Sequence, residues 1–421
     1  MSLWAFRFLL WYICILLVQP QNRFPVLWPL HIANGSFIAA VVLHILACLK
    51  DGRAMLRLGP ATKLGLALMF FTLLTSYGSP YQSWHGWGRW TDIIFKNALL
   101  MICIEAMCTT VRRAWVVQMT TLVCTLWWVK GGLRLSAAGA TYSGDRLMGA
   151  AIGLIENPNS FAYMMCLFLP LYLYAFEETR QKWLRWSFLA CAVAAVYIVF
   201  QTGSRTGLVT LLAMAVFSVP HYQNLRWRNV LLVAVAIAVI FPMTGERNRE
   251  RFRTIPASMA AFLGGKKEKQ DGPLTQDQQS ADERQAKNRD TWRLIKDYPL
   301  FGVGFETDSR FLEPYPMARG QVHSEILAVG KQMGFIGMGL FLGVLGMSFA
   351  AGLRIQRVFR DRPEVGKLGW VFCMQSLLIM VGGFFCPLPW HPPMMILAGS
   401  ASALAGLARQ RDESGTDFLA A

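Results

Sequence analysis

Of the 421 residues, 54% are hydrophobic and only 16% charged, which excludes an ordinary soluble globule and points to a polytopic membrane protein. The net charge of +16 would suit a nucleic-acid binder, but the basic residues alternate along the chain with loop side, as the positive-inside rule requires. The charge is a topology signal, so membrane lipid is the expected surroundings and nucleic acid is not an expected partner.

Apolar runs near the roughly 20 residues of one crossing predict about twelve transmembrane helices. They lie near 3–18, 32–49, 64–79, 92–110, 114–129, 158–176, 186–201, 205–219, 229–243, 323–352, 368–385 and 392–408. The first lacks a small-x-small cleavage site and runs into Gln19-Pro20-Gln21, so it is a retained helix rather than a signal peptide. With both termini inside, the cytoplasmic loops hold Lys50, Arg53, Arg57 and Lys63, then Arg112 and Arg113, Arg180, Lys182 and Arg185, Arg226 and Arg228, and the cluster Arg354 to Lys367. The opposite short loops hold only Arg23, Arg89, Lys130, Arg134, Arg146 and Arg205. The chain therefore divides into nine helices over 1–243, an outer loop over 244–322, and three helices with a short cytoplasmic tail over 323–421. All nine cysteines fall in apolar segments, with no disulfide framework and no metal-ligand spacing.

The outer loop begins with a basic cluster from Glu246 to Arg253 and continues through a polar run, Lys266 to Gln279, expected to be mobile. Ser280-Ala281-Asp282-Glu283 reads as a capping box that starts a helix running to about Asp297, before Pro299. On it Arg289, Arg293 and Lys296 form one cationic stripe, with Trp292 and Ile295 beside it. Pro299-Leu300-Phe301-Gly302-Val303-Gly304 turns back towards the membrane.

His323 then stands on the first turn of a glycine-studded helix carrying Gly330, Gly334, Gly337, Gly339, Gly343 and Gly346. A helix N-terminus disfavours imidazolium, so the ring would be neutral and able to accept a proton; a plain capping or interface histidine is the competing reading. Glu325, two positions along, faces elsewhere on that helix. Arg205 lies in the tight outer turn Gln201-Thr202-Gly203-Ser204-Arg205-Thr206-Gly207. A snorkelling anchor is the commoner role for such an arginine, but the glycines and hydroxyls also suit a phosphate. Arg146, upstream of Asn157-Pro158-Asn159, is a weaker case of the same kind. No Asp-x-Asp pair occurs to hold a divalent metal on a diphosphate, so no metal or other cofactor is expected and arginines would have to neutralise the leaving group.

These elements resemble the O-antigen ligase/polymerase family of bacterial envelope polysaccharide assembly. The resemblance rests on Asn157 to Asn159, Ser204-Arg205, Arg289 followed by Trp292 and the Pro299 to Gly304 turn, and His323-Ser324 leading to Gly334-Phe335-Ile336-Gly337. It spans about 140–345, with Ser324 where the family often has Asn. It implies an all-α bundle with a C-type glycosyltransferase architecture, set in the bacterial inner membrane with its active site facing the periplasm. It further implies transfer of an undecaprenyl-diphosphate-linked O-antigen donor to a lipid A–core acceptor, inverting and metal-independent. His323 would be the base, and Arg205 and Arg289 would grip the diphosphate, with Arg146 and Arg293 as further substrate contacts. The nearest rival is an O-antigen polymerase, followed by a protein O-glycosyltransferase. A polysaccharide-lipid transporter would place its key charges near the midplane rather than at the outer boundary.

Overall fold

The structure, a computed structural model, describes residues 1–78, 90–141, 146–149, 155–218, 241–242, 244–246, 248–249, 276–305, 312–319, 322–386 and 391–414. The run near 229–243, the polar residues 266–275 and most of the Glu246 to Arg253 cluster lie outside these. Among the described residues the chain is helical, apart from one isolated bridge between Thr141 and Leu147. The helices are α1 (Ser2–Val18), α2 (Ile32–Asp51), α3 (Pro60–Gly78), α4 (Lys96–Met107), α5 (Val111–Ala137), α6 (Pro158–Glu178), α7 (Lys182–Gln201), α8 (Arg205–Ser218), α9 (Gln276–Asp297), α10 (Glu325–Val358), α11 (Pro363–Gly383) and α12 (Pro392–Ser414).

Their ends follow from local chemistry. Thr110 accepts from Arg113 N at 3.3 Å to open α5, and Asn157 accepts from Asn159 N at 2.8 Å beside Pro158 at the first position of α6. Gly52 closes α2 at φ +60°. Five segments are long and apolar enough to cross a bilayer: Pro25–Asp51, α6, α7, α10 and α11. The shorter α1 and α8 are apolar as well, and together these helices support a membrane-embedded helical protein.

Burial separates centre from periphery. The most apolar stretch of α6 is 78% buried and that of α11 is 72%, against 33% for α7 and 28% for the α2 segment. The outer helices expose Ile38, Val42, Leu49, Trp183 and Trp186, side chains suited to lipid and its interface. In the centre, α10 and α11 touch through Gly352 and Gly369, where a Cβ on Gly369 would come within 2.6 Å of the Gly352 carbonyl. Only small residues allow backbones that close.

The two ends of the bundle differ in chemistry. At one end Lys367 pairs with Glu178 (2.6 Å) and Glu177 (3.0 Å), Arg354 with Asp412 (2.9 Å), and Arg411 with Asp361 (2.6 Å). The opposite end collects the starts of α6, α8, α10 and α12 together with α9.

Two local expectations are corrected. The helix meant to begin at Ser280 is already helical at Gln276, because the glutamines preceding the serine are themselves good helix formers. Residues 276–279 therefore belong to α9 rather than to a mobile run. His323 precedes α10 instead of lying on its first turn, since Ser324 is the cap and accepts from Leu327 N at 3.4 Å.

Helix α10 is broken at Gly334, whose φ of 62° and ψ of −161° are not helical. The Pro299 to Gly304 turn fills the break. Phe335 N donates to Pro299 O (2.7 Å), Val303 N to Lys331 O (2.9 Å), and Gly304 N to Gln332 O (3.0 Å). Gly302 (φ +62°) and Gly304 (φ +89°) give the turn its shape. Lys331 Nζ donates to Ala318 O at 2.7 Å, which fastens the 312–319 segment to the same place. The outer part of α10, the turn and α9 thus form one interlocked unit that ends at His323.

Candidate functional site

Two groups of residues lie at this end of the bundle. The first surrounds the α7–α8 turn. Gly203 sits at φ +58°, where a Cβ would collide with the Asn248 side chain, and Ser204 caps α8 by accepting from Gly207 N at 3.1 Å. Arg205 follows as the first residue of α8 and is half-buried. Arg146 Nε donates to Thr202 O (3.0 Å) and its terminal nitrogen to Asn159 Oδ1 (2.8 Å), joining the start of α6 to the Arg205 turn. These two contacts make Arg146 a brace for the Arg205 turn.

The second group belongs to α9 and His323. Thr291, Leu294 and Ile295 are completely buried, which fixes the inward face of α9. At 100° per residue Arg284 and Lys287 lie on that same face, whereas Arg289, Arg293 and Lys296 lie opposite it and are exposed. Trp292, 42% exposed, meets Phe335 edge to face with centroids 5.8 Å apart, just beyond the Gly334 break.

Arg284 and Lys287 are the charges that act on His323. Burial, then Arg284, then Lys287 hold its imidazole down to about 4, well below the usual histidine value. At neutral pH the ring is uncharged and able to take up a proton, while the same cations attract an anionic substrate.

The structure therefore brings Arg146 to the Arg205 turn and Arg284 and Lys287 to His323. It sets Arg289 and Arg293 on the exposed face of α9. In the sequence Arg284 and Lys287 are less conspicuous than the stripe of Arg289, Arg293 and Lys296. The buried triad of Thr291, Leu294 and Ile295 was the available signal for the inward face.

Residues 189–342 match the family model described as O-Antigen ligase. The matched span contains Arg205, α9 and His323, and it ends beyond the Gly334 break. No curated protein matches the chain. A chain in a solved structure described as "Structural coordination of polymerization and crosslinking by a peptidoglycan synthase complex" is 14% identical, with a TM-score of 0.41 over 83% of this chain and 97% of that one.

Proposed function

We propose that this protein is an O-antigen ligase, a glycosyltransferase that moves a polysaccharide from undecaprenyl diphosphate to a sugar of lipid A–core. The family match supports ligase- or polymerase-type work on lipid-linked polysaccharide. The observation that carries the chemistry is a neutral, half-buried His323 flanked by Arg284 and Lys287 at the end of the bundle away from the Lys367 and Arg411 ion pairs.

In this reading His323 accepts the proton of the acceptor hydroxyl as that oxygen bonds to C1 of the donor sugar. The C1–O bond to the diphosphate breaks on the opposite side, its electron pair leaving with the diphosphate, so C1 inverts. Arg205 and Arg284 stabilise the charge that develops there, and a guanidinium's planar fork suits two phosphate oxygens. Arg289 and Arg293, on the exposed face, receive the incoming diphosphate, while Arg146 holds the Arg205 turn. No metal takes part. Apart from the outer loop, the chain makes about twelve crossings in a C-type arrangement in the inner membrane, with His323 facing the periplasm.

Deletion of the gene followed by gel analysis of lipopolysaccharide tests the activity. Bare core with polymer left on undecaprenyl diphosphate supports a ligase. Core carrying a single repeat unit would identify a polymerase instead, and unchanged lipopolysaccharide would remove both readings. Topology is tested with an impermeant maleimide on cysteines placed between Lys266 and Gln279. Labelling of intact spheroplasts is expected, and labelling only after lysis would invert the arrangement.

A further inference from the structure

Two residues beyond His323, Glu325 is 1% exposed within the helix bundle. Its Oε2 makes no hydrogen bond of regular geometry among the described residues, and the Tyr163 hydroxyl is the side chain that interacts with the carboxyl. Burying a carboxyl this deeply costs free energy that only protonation or hydrogen bonding offsets, so its presence here points to a role. The carboxyl lines a small cavity together with Tyr163 and Met164 of α6, Ile379 of α11, and His391 and Met394 at the start of α12. His391 Nδ1 is likewise buried without a partner among the described residues. Tyr163, whose hydroxyl donates to Ile379 O at 3.2 Å, bears electrostatically on Glu325.

The backbone makes room for this cluster. The paired glycines at the end of α11 are notched for it: a Cβ on Gly382 would overlap the Tyr163 ring, and one on Gly383 would overlap Glu325 Oε2. The residues that follow tie down the other half of the site. Phe385 O accepts from Thr206 Oγ1 at 3.4 Å, directly beside Arg205. Cys386 Sγ contacts Ser160 Oγ at 3.5 Å and feels both Glu325 and Arg284. The 382–386 turn is thus the shared mount for the helices that carry Arg205 and His323.

We propose that Glu325 is a positioning residue: its buried carboxyl, seated with Tyr163 and His391 against the Gly382–Cys386 turn, sets where His323 stands relative to Arg205. The proposal rests on the reading of His323 as the base. Glu325 touches no substrate in this scheme; it fixes the first turn of α10, and His323 stands just before that turn, next to the Ser324 cap. Misplacing a base by about 1 Å costs about 10²-fold in rate.

The test compares Glu325→Ala and Glu325→Gln in the full chain, in nanodiscs, by amide hydrogen exchange and by steady-state transfer. Glu325→Ala should speed exchange over residues 322–330 and lower kcat about 10²-fold with KM within about threefold. Glu325→Gln, which keeps the shape and the hydrogen-bonding capacity, should restore both. Should Glu325→Ala not accumulate, Tyr163→Phe is the second probe, removing one hydroxyl from the same cluster. It should raise exchange over 322–330 with a smaller loss of kcat. Unchanged exchange in whichever of the two accumulates overturns the proposal. So does a Glu325→Gln protein that loses kcat as badly as Glu325→Ala while its exchange stays native, since that outcome makes the carboxyl a proton-transfer group. If His323→Ala transfers normally, the base reading fails, whereas the exchange data still decide whether Glu325 holds this turn.

Discussion

The two faces of α9 carry similar charge and have opposite surroundings. Arg284 and Lys287 share a face with the fully buried Thr291, Leu294 and Ile295, and they depress the pKa of His323. Arg289, Arg293 and Lys296 are exposed, and Arg293 spends part of its charge on a 3.7 Å contact with Asp290. A guanidinium in a partly dry site acts through a low effective dielectric, while one in water is screened within about 8–10 Å. Sequence spacing alone makes the outward stripe the more conspicuous one, yet it is the inward pair that acts on the His323 imidazole. The inward face should therefore control the chemical step and the outward face the capture of the donor.

His323 is the group that the inward face addresses. His323→Ala should cost about 10²–10⁴-fold in transfer at normal protein levels, measured with purified enzyme and lipid-linked donor. Near-normal transfer would reduce His323 to a structural residue. Removing a charge-stabilising donor should come next. Arg205→Ala is expected to lose about 10²-fold in kcat, and Arg205→Lys less, because an ammonium supplies charge without the planar fork. Equal activity of the Lys and Ala variants would remove the bidentate argument.

The faces themselves separate in the third measurement. Arg284→Ala should lower kcat by about tenfold or more, whereas Arg289→Ala should mainly raise KM, with an effect that fades at high salt. The reverse pattern would make the exposed stripe the catalytic one. A pH profile gives a smaller but more specific reading. Cations near the ring disfavour imidazolium, so replacing Arg284 or Lys287 with Gln should raise the His323 pKa from about 4 and move the acidic limb of kcat/KM upward. The shift should stop short of the ordinary value, because burial is the larger cause and survives the substitution. Arg289→Gln should leave the limb in place. The last expected effect is none: excess EDTA should leave transfer unchanged, and loss with rescue by Mg²⁺ or Mn²⁺ would replace the arginine scheme with a metal site.

The helices were legible because long apolar runs admit few alternatives, and each run that lies among the described residues coincides with a helix. His323 and Arg205 were legible because each stands at a polar break between such runs. Which charges meet His323 was not, since that depends on which side of α9 is buried against neighbours distant in sequence. Glu325 was set aside for facing away from His323. That divergence is what sends its carboxyl towards Tyr163 and Gly383, contacts made across 162 and 58 positions of chain and invisible to any local pattern. The glycines of α10 were read as one packing stripe, whereas Gly334 is a break in the helix.

That break bears on how the protein meets bilayers of different thickness. An unbroken helix of 34 residues would measure about 51 Å at about 1.5 Å per residue, far beyond a hydrocarbon core of about 30 Å. From Phe335 to Val358 the remaining length is about 36 Å, a span that moderate tilt accommodates. The piece before it is moored by hydrogen bonds to the Pro299 to Gly304 turn rather than by lipid. In a bilayer, hydrophobic mismatch would fall on the segment after Gly334, whose tilt can change without carrying along the hydrogen-bonded piece that leads back to His323.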